Sequence, residues 1–560
     1  MGPRGGGNVT DRAERIITGR IATLAGDSGW GWVEAVALRA GRVLAAGRAT
    51  DIDNLAGPIT QRLDLAPDEV AIPGLTDAHI HLADAAIGLH QVDLSTAPTL
   101  EEGLRRVAAA HATLSDPDAW LLGQGWQADR WGGWPLAAEL DRVAPRRRVA
   151  LWAHDHHALW VSTRALEAAG IGAGTADPAG GAIRRDEAGA PSGVLHEAAS
   201  GLVMALVPPT TADEYAAAIP TLARTLVGLG IVAVHDPGCL VPDAELRGAL
   251  VAYAQLADAG RLALRVHACL RQQAVDTAER RGLRSGALLG ADPEGRARLG
   301  WQKLFADGTL GSRTAALLEP IEVEPGQPLP PGMEYGLFIT PPDALAELTA
   351  RAAAVGIATQ IHGIGDAAVR AALDALAPHA GATPLMPRVE HVQLVHPDDI
   401  ERFGRHGIAA SVQPVHLRSD AAQARLLWGS RAERFGYVWR SLSAAGAIMP
   451  FGTDAPVEPI DPWPGLAMAV ARADASWASG TAPFGPQEAV GLERAIRSAC
   501  IDGPRSAGET DRGRLSAGQR ADLVILDAAV LREPVAVGGP LGSARPRRVL
   551  MDGLVVAEGA

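Results

Sequence analysis

The sequence predicts an α/β fold: a (β/α)8 TIM-like barrel, a small β-sandwich domain built from both termini, and a subdomain inserted after the first barrel strand. Three observations point there. Eight short apolar runs alternate with longer Ala-, Leu- and Arg-rich segments through the middle of the chain, the signature of β/α units. The two ends carry β-rich runs broken by Gly and Asp. Between the first barrel run and the second lie about 150 residues, too many for one crossover loop.

At the amino-terminal end the runs are Ile16-Ile17, Trp32 to Leu38 and Val43-Leu44, with turns at Gly41 and Gly47. Their counterparts are Ala521 to Asp527 and Val549 to Val556, where Asp552-Gly553 between apolar runs signals a hairpin. Each end looks like half of a sandwich, so residues 1–72 and 506–560 are expected to form one composite domain. The barrel, residues 73–118 and 201–505, draws its strands from Ile72–Leu82, Ile231–Asp236, Leu262–Leu270, Trp301–Phe305, Ala358–His362, Arg388–Val392, Ile408–Val412 and Ile448–Asp454. Helical stretches such as Pro342 to Val355 and Ala367 to Ala377 fall between them. The insertion, residues 119–200, has its own strands at Trp120–Leu122 and Val149–Trp152 and six of the thirteen tryptophans: Trp120, Trp126, Trp131, Trp134, Trp152 and Trp160. Most are expected to form its core, with one or two lining a substrate pocket.

Composition removes whole classes. With 47% apolar and 21% charged residues over 560 positions, disordered and fibrous chains are excluded. The net charge of −13 gives no electrostatic support for a nucleic-acid or membrane partner, and Arg146, Arg147 and Arg148, the only tight basic run, are expected on a solvated face. Three distant cysteines without CxxC spacing exclude a disulfide scaffold or thiolate zinc site and fit a reducing cytoplasm. Met1 to Gly26 is charged and lacks an apolar h-region, which predicts a soluble, unexported protein.

Of the 51 Lys and Arg residues, Lys303 alone is lysine. Chemistry-bearing residues collect at the C-terminal ends of the predicted strands. His79 and His81 end strand one, where alternation puts positions i and i+2 on one face, so both imidazoles can point at one ion. His362 ends strand five, His391 strand six and Asp454 strand eight, while Lys303 sits in strand four. Four histidines, a carboxylate and the lone lysine at one barrel mouth read as a binuclear metal site. An ammonium would be repelled by cations, but a deprotonated amine can add carbon dioxide and become a carbamate with two bridging oxygens. Arginine cannot, because its guanidinium stays protonated. The competing reading is a buried Lys303 paired with Asp307.

These residues stand in motifs that resemble the metal-dependent amidohydrolase superfamily, and within it the amidohydrolase-3 group of YtcJ-like proteins and N-substituted formamide deformylases. The motifs are Pro73-Gly-Leu-Thr-Asp-Ala-His-Ile-His81, Lys303 to Ala315, His362-Gly-Ile-Gly-Asp-Ala-Ala368, Arg388-Val-Glu-His391, Ser411-Val-Gln-Pro-Val-His416 and Phe451-Gly-Thr-Asp-Ala-Pro-Val457. His156-His-Ala-Leu-Trp160, Gly193-Val-Leu-His-Glu197 and Gly518-Gln-Arg-Ala-Asp522 extend it over nearly the whole chain. Two positions depart from the pattern: Ser162-Thr163 where the group commonly has Asn-Ser, and His235 where a smaller residue is usual. Both bear on specificity.

The resemblance implies His79, His81 and Asp454 on one metal and His362 and His391 on a second, with carboxylated Lys303 bridging. Zinc suits imidazole and carboxylate donors first, as one ion or two. A metal-activated hydroxide would attack the substrate carbonyl, and Asp454 would serve as general base and then acid. His416, His156, His157, Trp160, Glu197, Asp307 and Gln413 are candidates to contact substrate. The expected reaction is cleavage of a non-peptide C–N bond in a small N-substituted amide or formamide. Alternatives are deamination or ring opening of a cyclic amide; deaminases of this superfamily usually place Glu three residues after the strand-five histidine, and Gly365 stands there. A silent binding protein is disfavoured because no ligand is missing. The expected partners are a small-molecule amide and a second copy in a homodimer.

Overall fold

The computed structural model describes residues 12–178, 180–239, 242–322 and 333–559. Arg4 and Asp11, part of the charged N-terminal stretch, lie outside these residues. Its central sheet has seven parallel strands: Leu75–Asp77 (β1), Ile231–Asp236 (β2), Arg265–Arg271 (β3), Ala297–Phe305 (β4), Thr359–Gly363 (β5), Arg388–His391 (β6) and Ala409–Ser411 (β7), each paired with its neighbour in chain order. The interior-facing positions are almost wholly buried, as a packed barrel requires.

The eighth expected strand is an extended segment without regular pairing, yet it bridges the two edges. Ala410 and Val412 donate backbone N–H groups to Ile448 and Pro450 at 2.9 and 3.0 Å, while Ala78 donates to Phe451 at 2.9 Å. Pro450 has no N–H to return, which interrupts the ladder on that side. Gly452 is needed where the segment crosses strand one: a Cβ there would lie 2.6 Å from the His79 nitrogen.

The first expected strand is in fact two. Glu69–Pro73 pairs antiparallel with Leu523–Asp527, and only Leu75–Asp77 joins the barrel. Gly74 makes the transfer, packed so closely on Val232 that a Cβ would sit 2.6 Å from its side chain. The histidines therefore lie past the strand rather than in it.

Both termini contribute to an eight-stranded sheet. Ala13–Ala22 runs between Trp32–Arg39 and Glu69–Pro73, with Leu523–Asp527, Arg548–Met551 and Leu554–Glu558 continuing beyond. Alternation along Ala13–Ala22 sends Ile16 to a cluster with Ala35, Ala37 and Ile52, and Ile17 to one with Val36, Leu523 and Ile525.

A third sheet of six strands holds the inserted subdomain, from Val92–Asp93 through Trp120–Trp126, Arg148–Ala153, Ala158–Val161 and Pro191–Glu197 to Gly181–Arg185. It begins upstream of residue 119, because the helix Leu100–Thr113 packs Leu104 and Val107 into the same cluster as Trp126 and Val149. Arg147 corrects the expectation of a solvated basic run: it is 4% exposed and donates to the Ala119 carbonyl at 3.0 Å and to that of Asp116. Among the described residues no helix is long and apolar enough to cross a membrane.

Candidate metal centre

Past β1 the chain bends, and Asp77 fixes the bend. Its carboxylate accepts from the His79 N–H at 3.1 Å and from the Thr453 hydroxyl at 2.6 Å, tying the segment to the one that carries Asp454. Burial raises Asp77 to about 6. His79 Nδ1 donates to Glu390 Oε2 at 2.6 Å, and His81 Nδ1 donates to the Gly238 carbonyl at 3.0 Å. Both acceptors consume the Nδ1 proton, so each ring turns its Nε2 inward. Those atoms stand 3.3 and 3.5 Å from a single oxygen, Asp454 Oδ1.

The second oxygen of Asp454 faces the other half of the mouth. His416 Nε2 donates to Oδ2 at 3.1 Å and His391 Nδ1 lies 4.0 Å away. Asp454 and His391 have φ of 60° and 72°, a left-handed backbone that non-glycine residues seldom adopt. Such strain persists where surrounding structure enforces it, commonly at functional sites. The His362 ring packs 4.4 Å from that of His391, and its Nε2 donates to the Gly308 carbonyl at 3.2 Å.

Lys303 is 1% exposed, and burial drops its amine to about 8, with Arg271 lowering it further against the pull of Glu390 and Asp454. The expected alternative, an ion pair with Asp307, is not what the structure holds. Asp307 accepts backbone N–H groups of Ala316, Ile364 and Gly365 at 2.9 to 3.1 Å, which shapes the loops after β4 and β5, and burial raises it to about 7.

The donor set fits a divalent cation. His79 Nε2, His391 Nδ1 and Lys303 Nζ are buried without a hydrogen-bond partner, an arrangement that costs stability unless something fills it. Burial holds His81 down to about 3 and His362 and His391 well below the usual imidazole range, leaving neutral rings with a lone pair to give. The ligand atoms of His79, His81 and Asp454 lie within 4.8 Å of one another, as do those of His391, His416 and Asp454.

The remaining candidates divide. His157 and Glu197 form a partly buried pair at 2.9 Å whose imidazole lies 6.2 Å from that of His362, so the insertion reaches the mouth. Burial opposes protonation of His157, but Glu197 overrides it and lifts the group to about 9. His156 stacks on Trp152 at 6.0 Å with Nδ1 unpartnered. Gln413 is buried with both amide atoms unpartnered. Trp160 is not brought to the mouth: it is wholly buried in the insertion core, beside Trp126 and Trp131, and its indole donates to the Leu136 carbonyl. Sequence reasoning missed Asp77, Glu390 and Glu458. Glu458 accepts from Ser419 at 2.8 Å and from Arg418 at 2.6 Å and lies 3.9 Å from His416 Nδ1. Glu390 carried a usable signal, since alternation from Arg388 puts the two on one face of β6.

Comparison with known proteins agrees with this geometry. The amidohydrolase family model matches residues 66–557. The chain is 31% identical to the protein LONG AFTER FAR-RED 3 of Arabidopsis thaliana, over 92% of its length and 87% of the relative's. It is 28% identical to the N-substituted formamide deformylase of Arthrobacter pascens, over 97% and 98%. The crystal structure of an uncharacterized metal-dependent hydrolase from Pyrococcus furiosus superposes with a TM-score of 0.71 at 27% identity, covering 93% of this chain and 100% of that one. With a cluster of buried imidazoles around one carboxylate at a barrel mouth and a family match across nearly its whole length, the chain belongs to the amidohydrolase family and is a hydrolytic enzyme acting on C–N bonds other than peptide bonds.

Proposed function

We propose that the enzyme cleaves the amide bond of small N-substituted amides, formamides included. One observation carries the reading: His79 and His81 aim free Nε2 atoms at one oxygen of Asp454, beside a buried lysine amine. His79, His81 and Asp454 would hold one divalent cation, zinc being the best match to these donors, and His362, His391 and a carboxylated Lys303 a second. A cation bound there supplies Lewis acidity and a water of lowered pKa.

The chain's own residues supply the proton path. Asp454, held well below the usual carboxylate range by His79 and His416 against the effect of burial, takes the proton of the attacking water. It returns that proton to the departing amine nitrogen as the C–N bond breaks. His416, which Asp454 lifts to about 9 despite burial, donates to Oδ2 and keeps the carboxylate aimed. The unpartnered amide of Gln413 and the His156 ring are the groups we assign to the substrate. Deamination gains no support, because at Gly365 a Cβ would meet the Ala316 carbonyl at 1.9 Å, leaving no room for a catalytic side chain. The three unpaired cysteines support a reducing, cytoplasmic setting for the enzyme.

Metal analysis of purified enzyme, coupled to a panel of N-formyl and N-acyl amides, tests the reading. Up to two equivalents of metal with formate or acid release are expected. Active enzyme with near-zero metal overturns it.

A further inference from the structure

Directly beneath the histidines the barrel interior is polar. Arg388 is fully buried, and its guanidinium hydrogen-bonds to its own strand and to three other segments of the barrel. Nε donates to Glu390 Oε1 at 2.9 Å on its own strand, Nη1 to His235 Nδ1 at 2.9 Å, and Nη2 to the Ala78 carbonyl at 2.6 Å and the Ser411 hydroxyl at 2.9 Å. Its Cζ lies over the Trp301 ring, 4.5 Å from the ring centroid. The other oxygen of Glu390 receives His79 Nδ1.

The direction of every bond in this chain is forced. A guanidinium only donates, so His235 Nδ1 and Glu390 Oε1 must accept. With Oε1 committed to Arg388, Oε2 is the acceptor left for His79, and His79 must donate through Nδ1. Its one remaining lone pair is on Nε2, the atom 3.3 Å from Asp454. A ring free to exchange tautomers would spend part of its time with a proton on that atom.

We propose that Glu390 is a positioning residue that locks His79 in the tautomer able to bind a cation, and that Arg388, steadied by His235, fixes which oxygen Glu390 presents. This rests on the cation site proposed above. It makes an isosteric change more damaging than its size suggests. In Glu390→Gln, Arg388 claims the amide oxygen and the NH2 group faces His79. Nδ1 must then accept, the proton moves to Nε2, and the ligand atom is capped. Removing Arg388's claim lets the amide rotate and present its oxygen again, so the double variant Arg388→Met/Glu390→Gln should bind better than the single one. A merely structural role gives the opposite order, since the double variant is the more disruptive.

Zinc affinity by competition with a chromophoric chelator tests this, with circular dichroism confirming that each protein is folded. Glu390→Gln is expected to bind zinc about 10- to 100-fold more weakly than the parent, with partial recovery in the double variant. Zinc-edge X-ray absorption of the loaded single variant, which needs no second substitution, should count one fewer imidazole. Glu390→Gln with parental affinity and imidazole count overturns the proposal. A parent protein whose zinc affinity is unchanged by His81→Ala overturns the cation site itself, and the proposal with it.

Discussion

Lys303 shows how far a residue's identity can be pressed. It is the one lysine in the chain, it is buried, and its Nζ has no hydrogen-bond partner. Lys303→Arg keeps the charge and removes the amine, so kcat/KM should fall by at least about 100-fold if a carbamate is needed for transition-state stabilisation of roughly 3 kcal/mol. Retained activity in a folded variant returns Lys303 to an ordinary buried cation. A second residue-scale prediction concerns His157, raised from 6.5 to about 9 by Glu197. Because the folded group binds its proton more tightly than the unfolded one, the pair stabilises fully below pH 6.5, progressively less as pH rises, and not at all above about 9. The melting-temperature gap between parent and Glu197→Gln should therefore be widest near pH 6 and close by pH 9; a gap that widens with pH contradicts the pair. The candidate ligands were legible because metal chemistry selects few residue types and strand ends place them. Glu390 and Glu458 were less so, because what they do depends on which atoms of Arg388, His79 and His416 they meet across the barrel.

At the scale of elements, period and punctuation located all eight barrel segments but not the irregular pairing of the eighth or the division of the first between two sheets. Nothing local distinguishes Glu69–Pro73 from Leu75–Asp77; the difference is the partner each finds, Leu523–Asp527 for one and Ile231–Asp236 for the other. Likewise the upstream reach of the insertion depends on Leu104 and Val107 packing against Trp126, a contact made only on folding. The eighth segment's irregularity is functional in effect, for it lets the backbone turn left-handed at Asp454 and pass close to His79. Gly452→Ala tests this: a Cβ placed 2.6 Å from the His79 nitrogen must push the two segments apart. The expected cost is about 1–3 kcal/mol in urea unfolding, with a larger proportional loss of zinc affinity because both His79 and Asp454 move. Loss of stability without loss of affinity would mean that the histidine segment shifts as a unit and carries its ligands with it.

At the scale of the whole molecule, the terminal sheet and the barrel are joined by a buried ionic contact far from the histidines in sequence and on the opposite end of β3 from the strand termini that carry them. Arg265, 3% exposed at the start of β3, donates to Asp522 at 2.8 Å and Asp552 at 2.6 Å, both from the carboxyl-terminal tail. Arg520 shares Asp552 at 3.1 Å and Arg296 stands 4.0 Å from it, so that carboxylate keeps cationic partners if Arg265 is lost. Asp522 has no comparable second cation among the described ion pairs, and it sits where the tail enters the sheet between Pro73 and the barrel. Arg265→Met should therefore leave Asp522 buried and uncompensated, a cost of about 3–5 kcal/mol. Arg265→Met/Asp522→Asn, which removes the stranded charge, should recover much of it. Because the contact lies at the floor of the barrel, zinc affinity of the folded fraction should stay at the parental level in both variants while urea stability changes. A matching fall in affinity would instead show that the two ends of the barrel are mechanically coupled and that the tail helps shape the candidate metal centre.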